Sequence, residues 1–441
     1  MTPPWLSTAS AVRHDLLVLA PCLPRPDGDA CSQRWFYLLR FLARHFRVHL
    51  GCIASPHDGA ATGRVRALCF DTCFLPRPGL RMRLRGGAQF DPALAAWAAR
   101  LCVREPIGAV LACGASMGAI LPTLPPEPMR GVVRVVDFVE LESDQRRRHG
   151  AARRWPGAAL WRRQARRLLA AERAAGAACD HALFAGAADV ARFRLFAPES
   201  AHKARQLASG VDPDYYSPHI LQRSPFRPGQ RALVLAGPLD GPASAAAARW
   251  LASDVFAPLH AADPALVLCL AGPVAGRMDA RLRALGRQPG VVVAAHVADL
   301  RPYLAHAALV LAPPGGGHAA SAAVLAAMSL QKAVLGLPRS LDGLACLKVP
   351  EACAAADAPG FRARIAALLG TSAGHPETHA GTSAGESADT SSGVDADSAA
   401  VDPIDVGRAA RARVLREHDW NLRLSGLPAL LSGAAPLAHA G

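Results

Sequence analysis

One stretch of the chain, residues 307–338, limits the possible folds more than any other. Its sequence is AALVLAPPGGGHAASAAVLAAMSLQKAVLGLP. An apolar run at residues 309–312 stops at two prolines and three glycines, a segment of helical composition follows, and a second apolar run begins at Ala333. This order predicts a strand, a glycine-rich turn, a helix and a second strand, which is the repeating unit of an α/β fold.

The glycine-rich turn of this stretch is a candidate ligand site. In an open parallel sheet, such a turn lies at the carboxyl end of a strand, where free backbone N–H groups and a helix N-terminus favour an anion. A bound phosphate group is therefore one interpretation of Gly315, Gly316 and Gly317. An ordinary connection with nothing bound explains these glycines equally well.

The first part of the chain predicts the start of a doubly wound domain. Residues 15–21 have the composition of a buried strand, residues 32–45 carry apolar side chains at helical spacing, and residues 48–54 are again strand-like. The loop before the helix contains Gly28 and Asp29 and follows a strand, so it belongs at the carboxyl edge of the sheet. Because ligands bind at that edge, the loop is either part of a site or a plain turn.

Asp137 follows the last of the short apolar runs that continue this alternation. An acidic residue at the end of a buried strand often contacts a ligand, and in many proteins it caps the next helix instead. The sequence leaves both roles open for Asp137.

Proline and turn-forming residues predict a domain boundary at residues 209–230, which would act as a hinge. Strands and helices alternate again after it, and two of these strands end at Gly237 and Gly272. We therefore expect an N-terminal Rossmann-like domain at residues 1–208 and a second Rossmann-like domain at residues 231–369.

The end of the chain has two parts of different composition. Residues 370–402 are rich in Ser, Thr, Ala, Gly and Asp and carry too little apolar area to fold, which predicts disorder. Residues 403–441 predict helices that include Trp420 and return towards the N-terminal domain.

The net charge of +14 over 441 residues favours anionic partners. Arginines are concentrated at residues 146–173, beside Trp155 and Trp161. This region predicts either a basic face that contacts anionic lipid head groups or an ordinary solvated face of an amphipathic helix. Nucleic acid is a weaker interpretation, because neither an aromatic-rich RNA-binding motif nor a helix-turn-helix pattern accompanies the charge.

The eleven cysteines are scattered, without a CxxC pair or a histidine at ligand spacing. This pattern argues against a disulfide framework and a zinc site, and it favours a reducing cytosol. The first residues lack an apolar stretch long enough for a signal peptide, and the longest apolar runs have the length of strands. We therefore expect a cytoplasmic protein that contacts a membrane, if at all, at the surface of its inner face.

Several segments taken together resemble one family, the GT-B glycosyltransferases. The chain is similar to their retaining family-4 type, and within it to the sugar transferases of exosortase (PEP-CTERM) exopolysaccharide systems. The resemblance covers nearly all of the chain except residues 370–402. The segments are the opening strand and loop with FYLLRFLARHFRVHLG, DFVELES from Asp137, RRLLAAERA from Arg166, LFAPES with SGVDPDYYSP, VADLRPYLAHAALVLAP and AVLAAMSLQKAVLG.

The resemblance implies two Rossmann-like doubly wound domains that face each other across a cleft, with a nucleotide-sugar donor on the C-terminal domain and a lipid-linked or polysaccharide acceptor opposite. Retention in this family is explained by a same-face displacement in which the leaving phosphate helps to deprotonate the acceptor, so no catalytic pair, metal or cofactor is implied. The implied donor-binding residues are Gly237, Gly272, Gly315, Gly316, Gly317, His318, Ser321 and Val324. The implied acceptor-side residues are Gly28, Asp29, Arg34 and Asp137.

The chain departs from the family pattern at Ala326, where the family has a glutamate that accepts hydrogen bonds from the donor ribose. We expect His318 and Ser321 to compensate in part from the helix N-terminus, and the alternative for His318 is a solvent-facing loop position. Two functions follow. The chain is an active sugar transferase, or it is a non-catalytic paralogue that serves as a partner or regulatory subunit of polysaccharide assembly.

Overall fold

The structure, a computed structural model, divides into two compact units that do not follow chain order. Unit 1 contains the chain up to Asp212, the described part of Gly317–Ala322, and the chain from Glu417. Unit 2 contains Pro213–Gly316 and Ala323–Arg416. The structure describes residues 14–55, 58–76, 91–151, 157–237, 239, 242–274, 278, 280–297, 299–312, 318–338, 354–370 and 402–434.

Three sequence-based predictions fall outside these residues. They concern the disorder of residues 370–402, the turn at residues 315–317, and the part of Trp155 in a lipid-contacting face. Of residues 370–402, Gly370 and Asp402 alone are described. All three stay predictions.

Unit 1 is built on a parallel sheet. Its strands are β1 (Asp15–Ala20), β2 (Arg47–Ile53), β3 (Asp71–Leu75), β4 (Ile107–Cys113), β5 (Val133–Val139), β6 (His181–Phe184) and β7 (Ala204–Gln206). They are arranged in the order β3-β2-β1-β4-β5-β6-β7, which contains the strand order of a doubly wound fold. Every residue of β1 is buried, as expected for a parallel strand with both faces covered.

Helices lie between the strands of unit 1. Asp29 accepts a hydrogen bond from the backbone N–H of Ser32 at 2.8 Å and so caps the first of them. In chain order the helices are α1 (Ala30–Leu42), α2 (Gly59–Arg66), α3 (Pro92–Arg104), α4 (Ala115–Gly118), α5 (Glu142–Ala151), α6 (Gly157–Ala178) and α7 (Ala187–Phe196), with 3₁₀ turns at Leu121–Thr123 and Pro198–Lys203.

Unit 2 contains a second parallel sheet. Its strands are β8 (Arg231–Ala236), β9 (Leu266–Gly272), β10 (Val291–Ala295), β11 (Ala307–Leu311) and β12 (Val334–Leu335), in the order β10-β9-β8-β11-β12. The helices that lie wholly or mostly in unit 2 are α8 (Pro242–Trp250), α9 (Ala257–Ala262), α10 (Ala280–Leu285), α11 (Arg301–Ala305), α12 (His318–Ser329), α13 (Ala358–Leu369) and α14 (Pro403–Glu417), and a π-helical turn at Leu251–Phe256 joins α8 to α9. The first residues of α12 and the last residue of α14 belong to unit 1. The strand, helix and strand predicted for residues 307–338 are β11, α12 and β12.

The last described residues complete the core of unit 1 with two short helices, α15 (Trp420–Leu424) and α16 (Leu427–Leu431). The Trp420 ring stacks on Tyr37 of α1 with 5.6 Å between ring centroids. The backbone N–H of Val211 donates to the carbonyl of His418 at 2.8 Å. Residues from both ends of unit 1 therefore share one core. None of the described helices combines the length and the apolar character that crossing a membrane requires.

Candidate functional site

The carboxyl edge of the unit 1 sheet holds a buried ion pair. Arg34 of α1 donates from Nε and Nη2 to the two carboxylate oxygens of Asp137 of β5, each at 2.9 Å. Both side chains are 0% exposed, and Nη1 of Arg34 has no hydrogen-bond partner among the described residues. Two of the four residues assigned to the acceptor side, Arg34 and Asp137, are thus engaged with each other, and their contact with an acceptor stays a prediction.

An irregular turn follows Asp137. Val139 has a φ of 66°, and the pairing of β5 with β6 shifts register between Asp137 and Val139. A positive φ is rare for a β-branched residue, so the surrounding structure must hold this conformation against its strain. The next residue, Glu140, is partly buried, and burial raises the pKa of its carboxyl group.

Both carboxylate oxygens of Glu140 accept a hydrogen bond. Oε1 accepts from the backbone N–H of His318, the first residue of α12, and Oε2 accepts from the side-chain amide of Gln145. Residues 318–322 belong to unit 1, so this contact lies within that unit. The carboxylate therefore caps the first N–H of α12.

The His318 side chain is held inside unit 1. His318 is 5% exposed, with Nδ1 2.7 Å from Oγ of Ser209 and Nε2 2.9 Å from the carbonyl oxygen of Ala30. A carbonyl oxygen only accepts, so Nε2 carries the proton and Nδ1 accepts from the Ser209 hydroxyl. Burial, aided by the positive charge of Arg34, lowers the pKa of His318 to about 4.

Two consequences follow for the predictions about His318. The solvent-facing alternative is wrong, because the ring is buried among polar partners. The ring is also neutral at physiological pH, so in this arrangement it supplies no positive charge to a diphosphate. A donor-binding role for His318 stays a prediction.

Gly28 and Asp29 build the start of α1. The Gly28 carbonyl accepts a hydrogen bond from the side-chain amide of Gln33 at 3.0 Å, and a Cβ at Gly28 would lie 2.6 Å from Oγ of Ser32. Glycine is therefore needed at this position for close packing. These contacts give Gly28 and Asp29 a structural role, and their contact with an acceptor stays a prediction.

On the unit 2 sheet, Gly237 and Gly272 follow β8 and end β9. The Gly237 N–H donates to the carbonyl of Ala271 at 3.1 Å, and a Cβ at Gly272 would lie 1.7 Å from the Gly237 carbonyl oxygen. These glycines let two backbone segments approach closely. Their predicted contact with a diphosphate is untested, and for the Gly237 N–H it would require a change of hydrogen-bond partner.

The remaining donor-side residues lie along α12. Ser321 and Val324 are buried. Ala326 is 3% exposed and offers a methyl group where the family pattern has a carboxylate. Without that acceptor, a donor ribose would lose a charged hydrogen bond, which contributes roughly 1.5–3 kcal/mol.

No family model matches the sequence, and the search of curated proteins found no match. Solved structures do match over nearly the whole chain. HepE from Anabaena, in complex with UDP and glucose, superposes with a TM-score of 0.61 at 12% identity, covering 95% of this chain and 100% of HepE. HepE was also solved with UDP-glucose.

Two other solved structures give the same result. WaaG, a glycosyltransferase of lipopolysaccharide biosynthesis, matches with a TM-score of 0.59 at 14% identity over 95% of this chain and 100% of its own. Sucrose-phosphate synthase from Thermosynechococcus elongatus matches with a TM-score of 0.61 at 15% identity, over 96% of this chain and 100% of its own. The chain has the GT-B fold. The predicted α/β class with two Rossmann-like domains is thereby confirmed.

A possible metal-ligand group in this GT-B chain lies at the amino edge of the unit 1 sheet. Asp15, His49 and Glu105 place one ligand atom each within 4.8 Å of one another. The Arg47 guanidinium already contacts both carboxylates, at 3.1 Å for Asp15 and 3.2 Å for Glu105. The positive charge of Arg47 already pairs with both carboxylates, so Asp15, His49 and Glu105 are best explained as part of a salt-bridge network.

Sequence reasoning also missed a buried carboxyl group that contacts Ser143. Glu172 of α6 is almost completely buried and accepts hydrogen bonds from the backbone N–H of Ser143, at 3.0 Å, and from its hydroxyl. Burial raises the pKa of Glu172 to about 7. Because 29 residues separate the two partners, no local motif marks this pair.

The arginine-rich region has two parts in the GT-B structure. On α5, Arg147 and Arg148 form ion pairs with the buried Asp144. On α6, several arginines are exposed near Leu160, which is 58% exposed. The exposed arginines of α6 are Arg162, Arg163, Arg166, Arg167 and Arg173. The arginines of α6 therefore form a basic surface, and Arg147 and Arg148 of α5 compensate the buried charge of Asp144.

Proposed function

We propose that this chain is a retaining glycosyltransferase of exopolysaccharide biosynthesis, moving a sugar from a nucleotide-sugar donor to a lipid-linked or polysaccharide acceptor. The observation that carries the proposal is the match of the whole chain to the GT-B fold, with HepE solved in complex with UDP and with UDP-glucose. The segments that resemble the family-4, exosortase-associated transferases support the finer assignment.

In the proposed reaction, the bond between the sugar and the diphosphate breaks while the acceptor hydroxyl attacks on the same face. The hydroxyl proton passes to the leaving phosphate oxygen, so the chain need not supply a general base. The task of the protein is then to position both substrates and to stabilise the charge of the leaving diphosphate. Backbone N–H groups at the start of α12 are the first candidates for that stabilisation.

A second candidate function is a catalytically impaired paralogue that acts as a partner or regulatory subunit of polysaccharide assembly. Two observations favour it. Ala326 removes the ribose acceptor, and His318 is neutral and enclosed by Ser209 and Ala30. The missing acceptor at position 326 and the absence of charge on His318 would each lower the affinity for a nucleotide diphosphate.

Calorimetric titration with UDP and GDP separates the two candidates. We expect the Ala326→Glu variant to bind nucleotide about tenfold more tightly than the natural chain, because one charged hydrogen bond is restored. Ala323→Glu, on the same helix at a partly buried position, is the matched control and should show no gain.

The outcomes differ for the two candidates. Binding by the natural chain supports the transferase and justifies a screen of sugar donors. Binding by Ala326→Glu alone supports the impaired paralogue. If no variant binds either nucleotide, the proposal of a nucleotide site fails for both.

We also propose that the exposed arginines of α6 contact an anionic membrane surface, where basic side chains and neighbouring apolar groups bind together. Sedimentation with liposomes of anionic lipid should therefore carry the chain down at low salt, and added salt should release it. Triple replacement of Arg162, Arg163 and Arg166 by glutamine should abolish co-sedimentation. Equal binding to DNA would contradict this assignment, since the proposed partner is lipid.

A further inference from the structure

The N-terminus of α12 is already occupied by an anionic group of the same chain. The first N–H groups of a helix lack acceptors within the helix, and together with the helix dipole they attract negative charge. In α12, the first of these groups belongs to His318 and donates to the Glu140 carboxylate. The end of the helix that would stabilise a leaving diphosphate therefore carries a carboxylate instead.

The Glu140 carboxylate is held in place from both sides. Gln145 donates to its second oxygen, and the left-handed conformation of Val139 sets the chain direction just before it. A strained residue of this kind persists only where surrounding contacts fix it.

The His318 side is equally fixed. The ring donates to the carbonyl of Ala30 and accepts from Ser209, so the residue that presents the N–H cannot move without breaking two further hydrogen bonds. Glu140 and His318 thus form one ordered contact within unit 1.

We propose that Glu140 is an internal competitor for the anion site at the N-terminus of α12, and that a diphosphate must displace its carboxylate in order to bind there. This inference rests on the proposed function and names how access to that site is regulated. An attached competitor acts at a high effective concentration, so it weakens the binding of a free anion until it is removed. The position of the Glu140 carboxylate then determines whether the N-terminus of α12 can bind another anion.

The test compares the binding of two probes, inorganic pyrophosphate and UDP, to full-length variants. Glu140→Gln removes the charge and keeps the shape, and Glu140→Ala removes the acceptor altogether. The matched control is Glu142→Gln, which neutralises an exposed carboxylate two residues further on. We expect pyrophosphate to bind about tenfold more tightly to Glu140→Ala than to the natural chain, with Glu140→Gln in between and the control unchanged.

Each result decides something different. Equal pyrophosphate affinity of the natural chain and Glu140→Ala, or no pyrophosphate binding to either, overturns the inference. If Glu140→Ala gains pyrophosphate binding but no variant prefers UDP to pyrophosphate, the inference stands and the proposed nucleotide-sugar function fails.

Amide hydrogen exchange gives a readout that needs no ligand. In the natural chain the Glu140 carboxylate protects the His318 N–H, so Glu140→Ala should speed its exchange while the amides of β1 keep their protection. Unchanged exchange at His318 would show that Glu140 does not occupy the helix end in solution. Loss of protection throughout β1 would mean that Glu140→Ala is misfolded, and the isosteric Glu140→Gln then decides between the two.

Discussion

Replacing Arg34 with methionine is expected to lower the free energy of unfolding by about 3–5 kcal/mol. The substitution removes the guanidinium and leaves the Asp137 carboxylate buried without a counter-charge, since both side chains are 0% exposed. Burying a charge without a partner is among the most costly changes that a single substitution can make. Urea denaturation of the full chain, followed by circular dichroism, measures the loss.

Two comparisons make this prediction specific. Arg40→Met, on the same helix, breaks the pair with Asp212, but Arg40 is 40% exposed, so the loss should stay below about 1 kcal/mol. The double replacement of Arg34 by methionine and Asp137 by leucine should recover most of the stability, because it leaves no unpaired charge. If Arg34→Met and Arg40→Met unfold at the same urea concentration, the explanation given for the buried pair is wrong.

The stability of unit 1 is also expected to fall as the pH rises from about 4.5 to 7. The pKa of Glu172 is raised from its ordinary value of 4.5 to about 7, so the folded chain holds this proton more tightly than the unfolded chain does. Protonation therefore favours folding below pH 4.5, and this contribution is lost as the pH rises through 7. A shift of this size corresponds to roughly 3 kcal/mol.

Glu172→Gln tests this dependence directly. The amide keeps the shape of the side chain and cannot ionise, so the variant should be more stable than the natural chain at pH 8 and similar to it at pH 5. Denaturation midpoints across this range provide the measurement, and the exposed Glu127→Gln is the control. Parallel curves for the natural chain and Glu172→Gln would show that Glu172 does not titrate in this way.

Much of the fold could be predicted because parallel strands have a strong local signal. The continuous apolar runs that became β1 and β11 end at turn residues, and this pattern reports burial on both faces of a sheet. The same reasoning located the helix that became α12. It did not anticipate the π-helical turn at Leu251–Phe256, because apolar spacing alone does not show an extra residue inserted into a helix.

The contacts of the candidate site could not be predicted in the same way. Arg34 and Asp137 were each identified as site residues, but 103 residues separate them, and their pairing depends on the sheet order. The role of Glu140 could not be predicted, because its partner His318 lies 178 residues further along the chain. Glu140 also follows Val139, whose positive φ no local rule assigns to a valine. Sequence motifs marked Arg34, Asp137 and His318 as candidate site residues, and only the tertiary structure shows which of their polar atoms already have partners within the chain.

The contact between Val211 and Asp419 has a consequence for how the protein is made. About 200 residues separate these partners, and at roughly 5–20 residues per second a ribosome needs on the order of 10–40 s to synthesise that length. Throughout this interval the nascent sheet lacks Trp420, Leu424 and Leu427, and Tyr37 lacks Trp420 as its stacking partner. Unit 1 therefore completes its core only after translation has passed through unit 2, and an apolar face left uncovered for that time favours aggregation of the nascent chain.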